Sequence, residues 1–329
     1  MLLPLLAVIG GLALLAASAD RFVFGAAGLA RGLGVSPVLI GLTIVAFGTS
    51  APEIIVSLLA SLQGSPGLAV GNAIGSNIAN LGLVLGLAAL IAPVVVGHGL
   101  VRRELPLLLL ATLGVLLLLL DGRLARAEGW VMLAGLIAIV VWMIRATRPA
   151  VAPAAGAETD PDPGLAAPPP AATPGRLPAA LGWLAGGLAL LLASSQALVW
   201  GAVEIATALG AGELLIGLTL VAIGTSLPEL ATTVASALRR ETGMALGNVV
   251  GSNLFNLLAV LAVPALIAPL AVEPEVLTRD YPVMLALTVA VLLAARFGAG
   301  RITRWHGALL LLAFSGYLVT LAITAPAWI

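Results

Sequence analysis

GLTIVAFGTSAPEIIVSLLASLQGSPGLAVGNAIGSNIANLGLVLG, residues 41–86, recurs at 217–262 as GLTLVAIGTSLPELATTVASALRRETGMALGNVVGSNLFNLLAVLA. Without a gap, 22 of the 46 positions are identical, and the identities fall mostly on Gly, Thr, Ser, Pro, Glu and Asn rather than on leucine. Apolar filler repeats by chance; this polar pattern records an internal duplication. The same 176-residue offset pairs Ser18 with Ser194, Gly25 with Gly201 and Gly34 with Gly210 upstream, and Arg103, Glu104 and Pro106 with Arg279, Asp280 and Pro282 downstream. The first apolar segment therefore has an internal counterpart and reads as a structural helix rather than a cleaved leader.

Around the repeats the chain is 61% apolar and 9% charged, with a mean hydropathy of +1.16, the composition of an integral membrane protein. Continuous leucine-rich runs such as 107–120 favour helices over barrel strands, which would alternate. At about 20 apolar residues per span, each repeat holds five. The expected spans are 2–30, 36–62, 66–91, 103–120 and 128–146, then 179–208, 213–238, 243–268, 280–297 and 305–325. There is no cysteine, which excludes disulfides, thiolate metal sites and thiol catalysis. His98 and His306 are isolated and read as interfacial or loop residues rather than ligands. All 15 basic residues are arginine and the net charge is zero, so nothing points to a nucleic-acid partner.

An odd number of spans per repeat sends the second copy into the membrane from the opposite side. Arginine placement tests this independently through the positive-inside bias. Gln63-Gly64 after the second span becomes Arg239-Arg240 in the second copy, whereas Arg102-Arg103 becomes Thr278-Arg279 beside Glu273, Glu275 and Asp280. With both termini outside, twelve arginines lie on the cytoplasmic side and three, Arg123, Arg126 and Arg279, outside. The expected fold is therefore an all-α integral membrane protein of ten transmembrane helices in two inverted five-helix repeats, 1–146 and 179–329. Between them, 147–178 holds nine of the 21 prolines and reads as a flexible cytoplasmic tether.

Among the acidic residues, only Glu53 and Glu229 lie near the middle of strongly apolar spans. A central carboxylate costs roughly 2.5–3.5 kcal/mol on insertion scales, and meeting that cost twice at equivalent positions calls for a ligand. Pro52 and Pro228, just before each glutamate, lack an N–H and break the helix, which frees carbonyls such as that of Gly48. Such breaks are tolerated at membrane depth where they line a site. Thr49 lies four residues before Glu53 on the same face, and Ala46 sets its carbonyl one turn earlier; Thr225, Glu229 and Ala222 repeat the arrangement. In the next span Asn72, Ser76 and Asn80 form a polar stripe, with Gly71 and Gly75 letting a neighbouring backbone approach. Its counterpart runs through Ser252 and Asn256, and Ser50, Ser226, Asn77 and Asn253 stand as a second tier of candidates. Every donor is oxygen. That set suits Ca²⁺, Na⁺ or, less well, Mg²⁺, and disfavours zinc, copper and iron. Two negative charges balance one Ca²⁺ or two Na⁺, so one cage can hold them alternately.

The paired G-T-S-x-P-E (48–53, 224–229) and G-N-x-x-G-S-N-x-x-N (71–80, 247–256) stretches resemble the two alpha repeats of the calcium/cation antiporter superfamily, in its prokaryotic sodium/calcium exchanger branch. The resemblance covers nearly the whole chain apart from the linker. It implies that spans two and three of each half enclose the ions, with Ca²⁺ held by Glu53 and Glu229 and the backbone near Thr49 and Thr225. It further implies flanking sodium sites at Thr49, Thr225, Ser76, Ser252 and the carbonyls of Ala46 and Ala222, with Asn80 and Asn256 lining the middle. Helices one and six would slide against the other eight. One departure stands out: some microbial exchangers carry Asp at the position of Asn256, so this cage has two acidic side chains rather than three. The function expected is a secondary antiporter, not an enzyme, in a cell inner membrane or plasma membrane. It would expel Ca²⁺ by admitting Na⁺, its partners being those ions and the bilayer, with no cofactor. A Ca²⁺/H⁺ or other divalent-cation antiporter is the alternative, since mid-membrane carboxylates also carry protons. A carboxylate-dyad hydrolase leaves the duplicated Thr, Ser and Asn unexplained, and a passive channel leaves the inverted halves unexplained.

Overall fold

The computed structural model describes residues 2–146, 177–209, 222–298 and 300–324. Most of the expected linker, the stretch 213–221 of the seventh expected span and the last residue of the tenth lie outside the described residues. The chain runs α1 (Leu2–Leu33), α2 (Pro37–Thr49), α3 (Ala51–Leu62), α4 (Pro66–Ile91), β1 (Val94–Val95), α5 (100–119), β2 (Arg123–Leu124) and α6 (Arg126–Ala146). It continues through α7 (Leu177–Ala208), α8 (Ala222–Thr225), α9 (Leu227–Leu238), α10 (Thr242–Ile267), β3 (Leu270–Ala271), α11 (Val276–Phe297), β4 (Arg301–Ile302) and α12 (Arg304–Thr324).

Seven of the described helices, α1, α4, α6, α7, α10, α11 and α12, are long and apolar enough to cross a membrane, and the bent pair α2–α3 makes an eighth. Two expected spans remain. Helix α5 carries Arg102, Arg103 and Glu104 in its opening turn, and α8 and α9 are the described part of the expected span 213–238. Both α5 and α11 start three to four residues before the expected 103 and 280, because the charged residues before Pro106 and Pro282 are helical rather than loop. Their first turns are π-helical, Leu100–Glu104 and Val276–Asp280.

Helices α4 and α10 form the centre: 72% and 83% of their apolar windows are buried, against about a fifth for α1, α6, α7 and α12. Outward leucines such as Leu110, Leu117, Leu309 and Leu312 stay exposed, as a lipid solvent permits. In lipid, helices associate through close packing rather than water exclusion, and glycine sets the contacts here. A Cβ on Gly25 would stand 2.4 Å from the backbone nitrogen of Leu184, and one on Gly201 2.6 Å from the carbonyl oxygen of Pro4. Gly11 meets Leu198 and Gly187 meets Phe22 at similar range. Early residues of α1 thus face late residues of α7, so these equivalent helices run antiparallel. The central helices interlock with the opposite half in the same way. Helix α12 lies on the end of α4, where Gly307 faces Gly86, and α6 lies on the end of α10, where Gly129 faces Leu266. Two short antiparallel ladders, absent from the all-α expectation, tie the loops across the halves: β1 with β4 and β2 with β3.

Candidate ion-binding site

The site is built on two broken helices. Helix α2 ends at Thr49, Ser50 turns at φ −81°, ψ 3°, and α3 begins at Ala51 with Pro52 in its first turn, bending the path by 41°. Ser226 repeats the turn at φ −87°, ψ 4° between α8 and α9, with Pro228 following. Each break puts a glutamate, Glu53 or Glu229, in the first turn of a new helix. The free N–H groups and dipole there favour a carboxylate at a depth where little else does.

Both glutamates are fully buried. Neither oxygen of Glu53 has a protein hydrogen-bond partner; Glu229 accepts from the Ser50 hydroxyl at 3.4 Å through Oε1, and its Oε2 has none. No salt bridge reaches either residue among the described residues. Burying ionised carboxylates without a counter-charge is expensive, so this pair calls for a bound cation or for protons. No group of three or more His, Cys, Asp or Glu occurs among the described residues, so the remaining donors are neutral oxygens.

Those oxygens come from the central helices. Thr49 Oγ1 donates to Asn248 Oδ1 at 3.2 Å and lies 3.4 Å from Ser252 Oγ, which joins the break of the first half to α10 of the second. The contact is possible because α2 and α10 touch through glycine. A Cβ on Gly251 would fall 2.4 Å from the Leu42 carbonyl, and one on Gly247 2.7 Å from that of Val38. Asn80 and Asn256 each open a π turn, Asn80–Val84 and Asn256–Val260, in which the wider i to i+5 register re-aims the side chains. Both amides are buried, with neither O nor N partnered by protein.

The expected residues fall as follows. Ser76 and Ser252 are buried on α4 and α10, Thr225 is half-buried at the end of α8, and Ala222 opens that helix. The Ala46 carbonyl, expected as a sodium ligand, accepts from the Ser50 amide at 2.9 Å and from Thr49 Oγ1 at 3.3 Å. Of the second tier, Ser50 reaches Glu229, and the Ser226 hydroxyl is buried without a partner. Asn77 donates to the Asn253 carbonyl at 3.4 Å, where α4 and α10 cross at equivalent positions. Sequence reasoning missed the work of Asn72 and Asn248. The Asn72 amide holds the Glu53 carbonyl at 3.0 Å and Ser57 Oγ at 3.1 Å; Asn248 holds the Glu229 carbonyl at 3.5 Å and Thr233 Oγ1 at 2.9 Å. Their signal was present as the G-N that opens each second motif.

Known proteins share this architecture. The family described as sodium/calcium exchanger protein matches residues 3–145 and 179–323. CaxA of Alkalimonas amylolytica, a putative antiporter, is 50% identical over 321 residues, covering 96% of this chain and 98% of its own. The inner membrane protein YrbG of Escherichia coli K12 is 41% identical, covering 98% of this chain and 97% of its own. A solved structure of the sodium-calcium exchanger NCX_Mj, soaked with zero Na⁺ and Ca²⁺, superposes with a TM-score of 0.83 at 34% identity, covering 97% of this chain and 99% of that one. A family match across both halves, with the fold of a solved exchanger in agreement, means that the chain belongs to the sodium/calcium exchanger protein family.

Proposed function

We propose that the protein exchanges Na⁺ for Ca²⁺ by alternating access, with Na⁺ influx driving Ca²⁺ efflux. One observation carries this reading: two fully buried glutamates lie without a basic partner among the described residues, on helices α3 and α9 that pack against residues 256–260 and 80–84, where the Asn256 and Asn80 amides are buried and unpartnered. Hard oxygen donors with two negative charges fit one Ca²⁺ or two Na⁺. In this reading Glu53 and Glu229 hold Ca²⁺ with the backbone at Thr49 and Thr225. Na⁺ takes the hydroxyls of Thr49, Thr225, Ser76 and Ser252 and the carbonyls of Ala46 and Ala222. The Ala46 carbonyl becomes a ligand when Thr49 Oγ1, now 3.3 Å away, turns to the ion instead. Asn80 and Asn256 line the middle as neutral ligands.

The membrane arrangement proposed is ten spans in two inverted halves, with both termini outside and the linker cytoplasmic. The antiparallel α1–α7 pair supports it, because these helices occupy equivalent positions in the two repeats. The ladders support it too. Joining 94–95 to 301–302 and 123–124 to 270–271 needs each joined pair of loops on one side of the membrane. An inverted arrangement supplies that, and two parallel halves would not. An inner-membrane location accords with YrbG, named as an inner membrane protein. The peripheral α1–α7 pair is the pair that would slide against the other helices.

The test is a flux assay in proteoliposomes. Vesicles loaded with Na⁺ should accumulate radioactive calcium against a Na⁺-free exterior, and Glu53→Ala should abolish uptake. Equal uptake with K⁺ or choline inside refutes sodium coupling. Uptake driven by an acidic interior without sodium establishes the Ca²⁺/H⁺ alternative in its place.

A further inference from the structure

The two halves differ where function needs no difference. On α9, Glu229, Thr232 and Ser236 project within about 60° of one another at 100° per residue. The first half carries Glu53, Val56 and Ala60 at these positions. Thr232 and Ser236 are completely buried, and neither hydroxyl has a protein partner. Elsewhere helix hydroxyls turn back onto their own backbone, as Ser61 does at 2.6 Å, Thr112 at 2.8 Å and Thr288 at 2.8 Å. An unpaired buried hydroxyl is destabilising, and this chain bears that cost at two successive turns that the first repeat makes apolar.

Position explains the pair. Ser226 Oγ and Glu229 Oε2, both unpartnered, lie at the site end of this face. At the other end the helix stops at Leu238, and Leu238, Arg239 and Arg240 are exposed. From Glu229 to Ser236 the axis rises about 10 Å, with the oxygens roughly one turn, about 5 Å, apart. That is too far for direct contact and is a gap that one water bridges. Helix α9 packs here on α1, α10 and residues 80–91 of α4. Hydroxyls without a carboxylate bind a monovalent cation or water weakly, which suits passage rather than retention.

We infer that Thr232 and Ser236 line a hydrated path for water and Na⁺, which connects Glu229 with the Arg239–Arg240 end of α9. The equivalent face of the first half carries Val56 and Ala60, with no hydroxyl at either position. The path rests on the reading of Glu229 as an ion ligand, but its first readout, thiol accessibility, does not depend on transport.

The chain has no cysteine, so single thiols report cleanly. Ser236→Cys and, as the equivalent control, Ala60→Cys are made in the full chain. Each is reconstituted in liposomes and exposed to a small cationic methanethiosulfonate on both sides, in Na⁺ and in Ca²⁺, with modification read by mass. Ser236→Cys should react about tenfold faster than Ala60→Cys, since reactivity follows access of the thiolate to solvent. The double variant Thr232→Val/Ser236→Ala, which copies the first repeat, should slow Na⁺-driven calcium uptake several-fold while leaving equilibrium calcium binding in detergent unchanged. An inert Ser236→Cys, equal reaction of the two thiols, or an unchanged uptake rate in the double variant overturns the path. Loss of calcium binding in Glu229→Gln tests the underlying reading separately.

Discussion

At the scale of residues, Asn248 has three tasks. Its amide nitrogen holds the Glu229 carbonyl and Thr233, while its oxygen accepts from Thr49 across the two halves. Removing it leaves buried groups unpaired on both sides of the site. Asn248→Ala should lower the unfolding free energy by about 2 kcal/mol and weaken calcium binding, whereas Asn248→Asp should retain the Thr49 contact and lose the two donated bonds. Thermal unfolding in detergent with isothermal calcium titration separates these effects. For the carboxylates, Glu53→Gln keeps shape and removes charge, and calcium affinity should fall on the order of 100-fold; unchanged affinity removes Glu53 from the site. The glutamates were legible in sequence because a charge in an apolar span is conspicuous twice. The engaged state of the Ala46 carbonyl was not, because sequence shows which backbone oxygens a proline frees and not which hydroxyls turn onto the others.

At the scale of elements, the eight spans found among the described residues were legible to within a few residues, since apolar length and the 176-residue repeat both mark them. The π turns were not. Shifting one hydrogen bond from i+4 to i+5 leaves no compositional trace, and the backbone at Asn80 and Asn256 reads as ordinary α-helix from sequence. The ladders are two residues each, too short for any alternation to appear. Glycine gives the sharpest test at this scale. A methyl group on Gly251 would meet the Leu42 carbonyl at 2.4 Å and Ala46 Cβ at 2.6 Å, both on the helix that carries Thr49. Gly251→Ala should therefore cost about 1–3 kcal/mol by overpacking and draw Thr49 away from Ser252, so that calcium binding weakens with stability. Gly114, on the exposed face of α5, has open space where a methyl group would stand, with nothing within 4 Å. Gly114→Ala should be neutral or stabilising by up to about 1 kcal/mol through helix propensity alone. If both variants shift the midpoint equally, the close approach of α2 and α10 is not what holds the site.

At the scale of the whole molecule, the proposed inversion turns one duplicated motif into two walls of a single cage. The arginine swap at equivalent positions 63 and 239 points to it, and the cross-half pairing of β1 with β4 and β2 with β3 accords with it. Arg239 also pairs with Asp20 of α1 at 2.6 Å, and Arg31 of α1 lies 3.8 Å from Glu241, so the end of α9 and the end of α1 share one side. These pairs are part-exposed, and such ion pairs contribute about 0–1 kcal/mol, so a cysteine at Arg239 should leave the fold intact. Gln63→Cys and Arg239→Cys then place single thiols at equivalent points of the two repeats. In right-side-out vesicles an impermeant maleimide should modify Gln63→Cys at once and Arg239→Cys only after permeabilisation. Inside-out vesicles should reverse the order. Modification of both from one side would mean that the repeats lie parallel, and Glu53 and Glu229 would then belong to two separate environments rather than to one site.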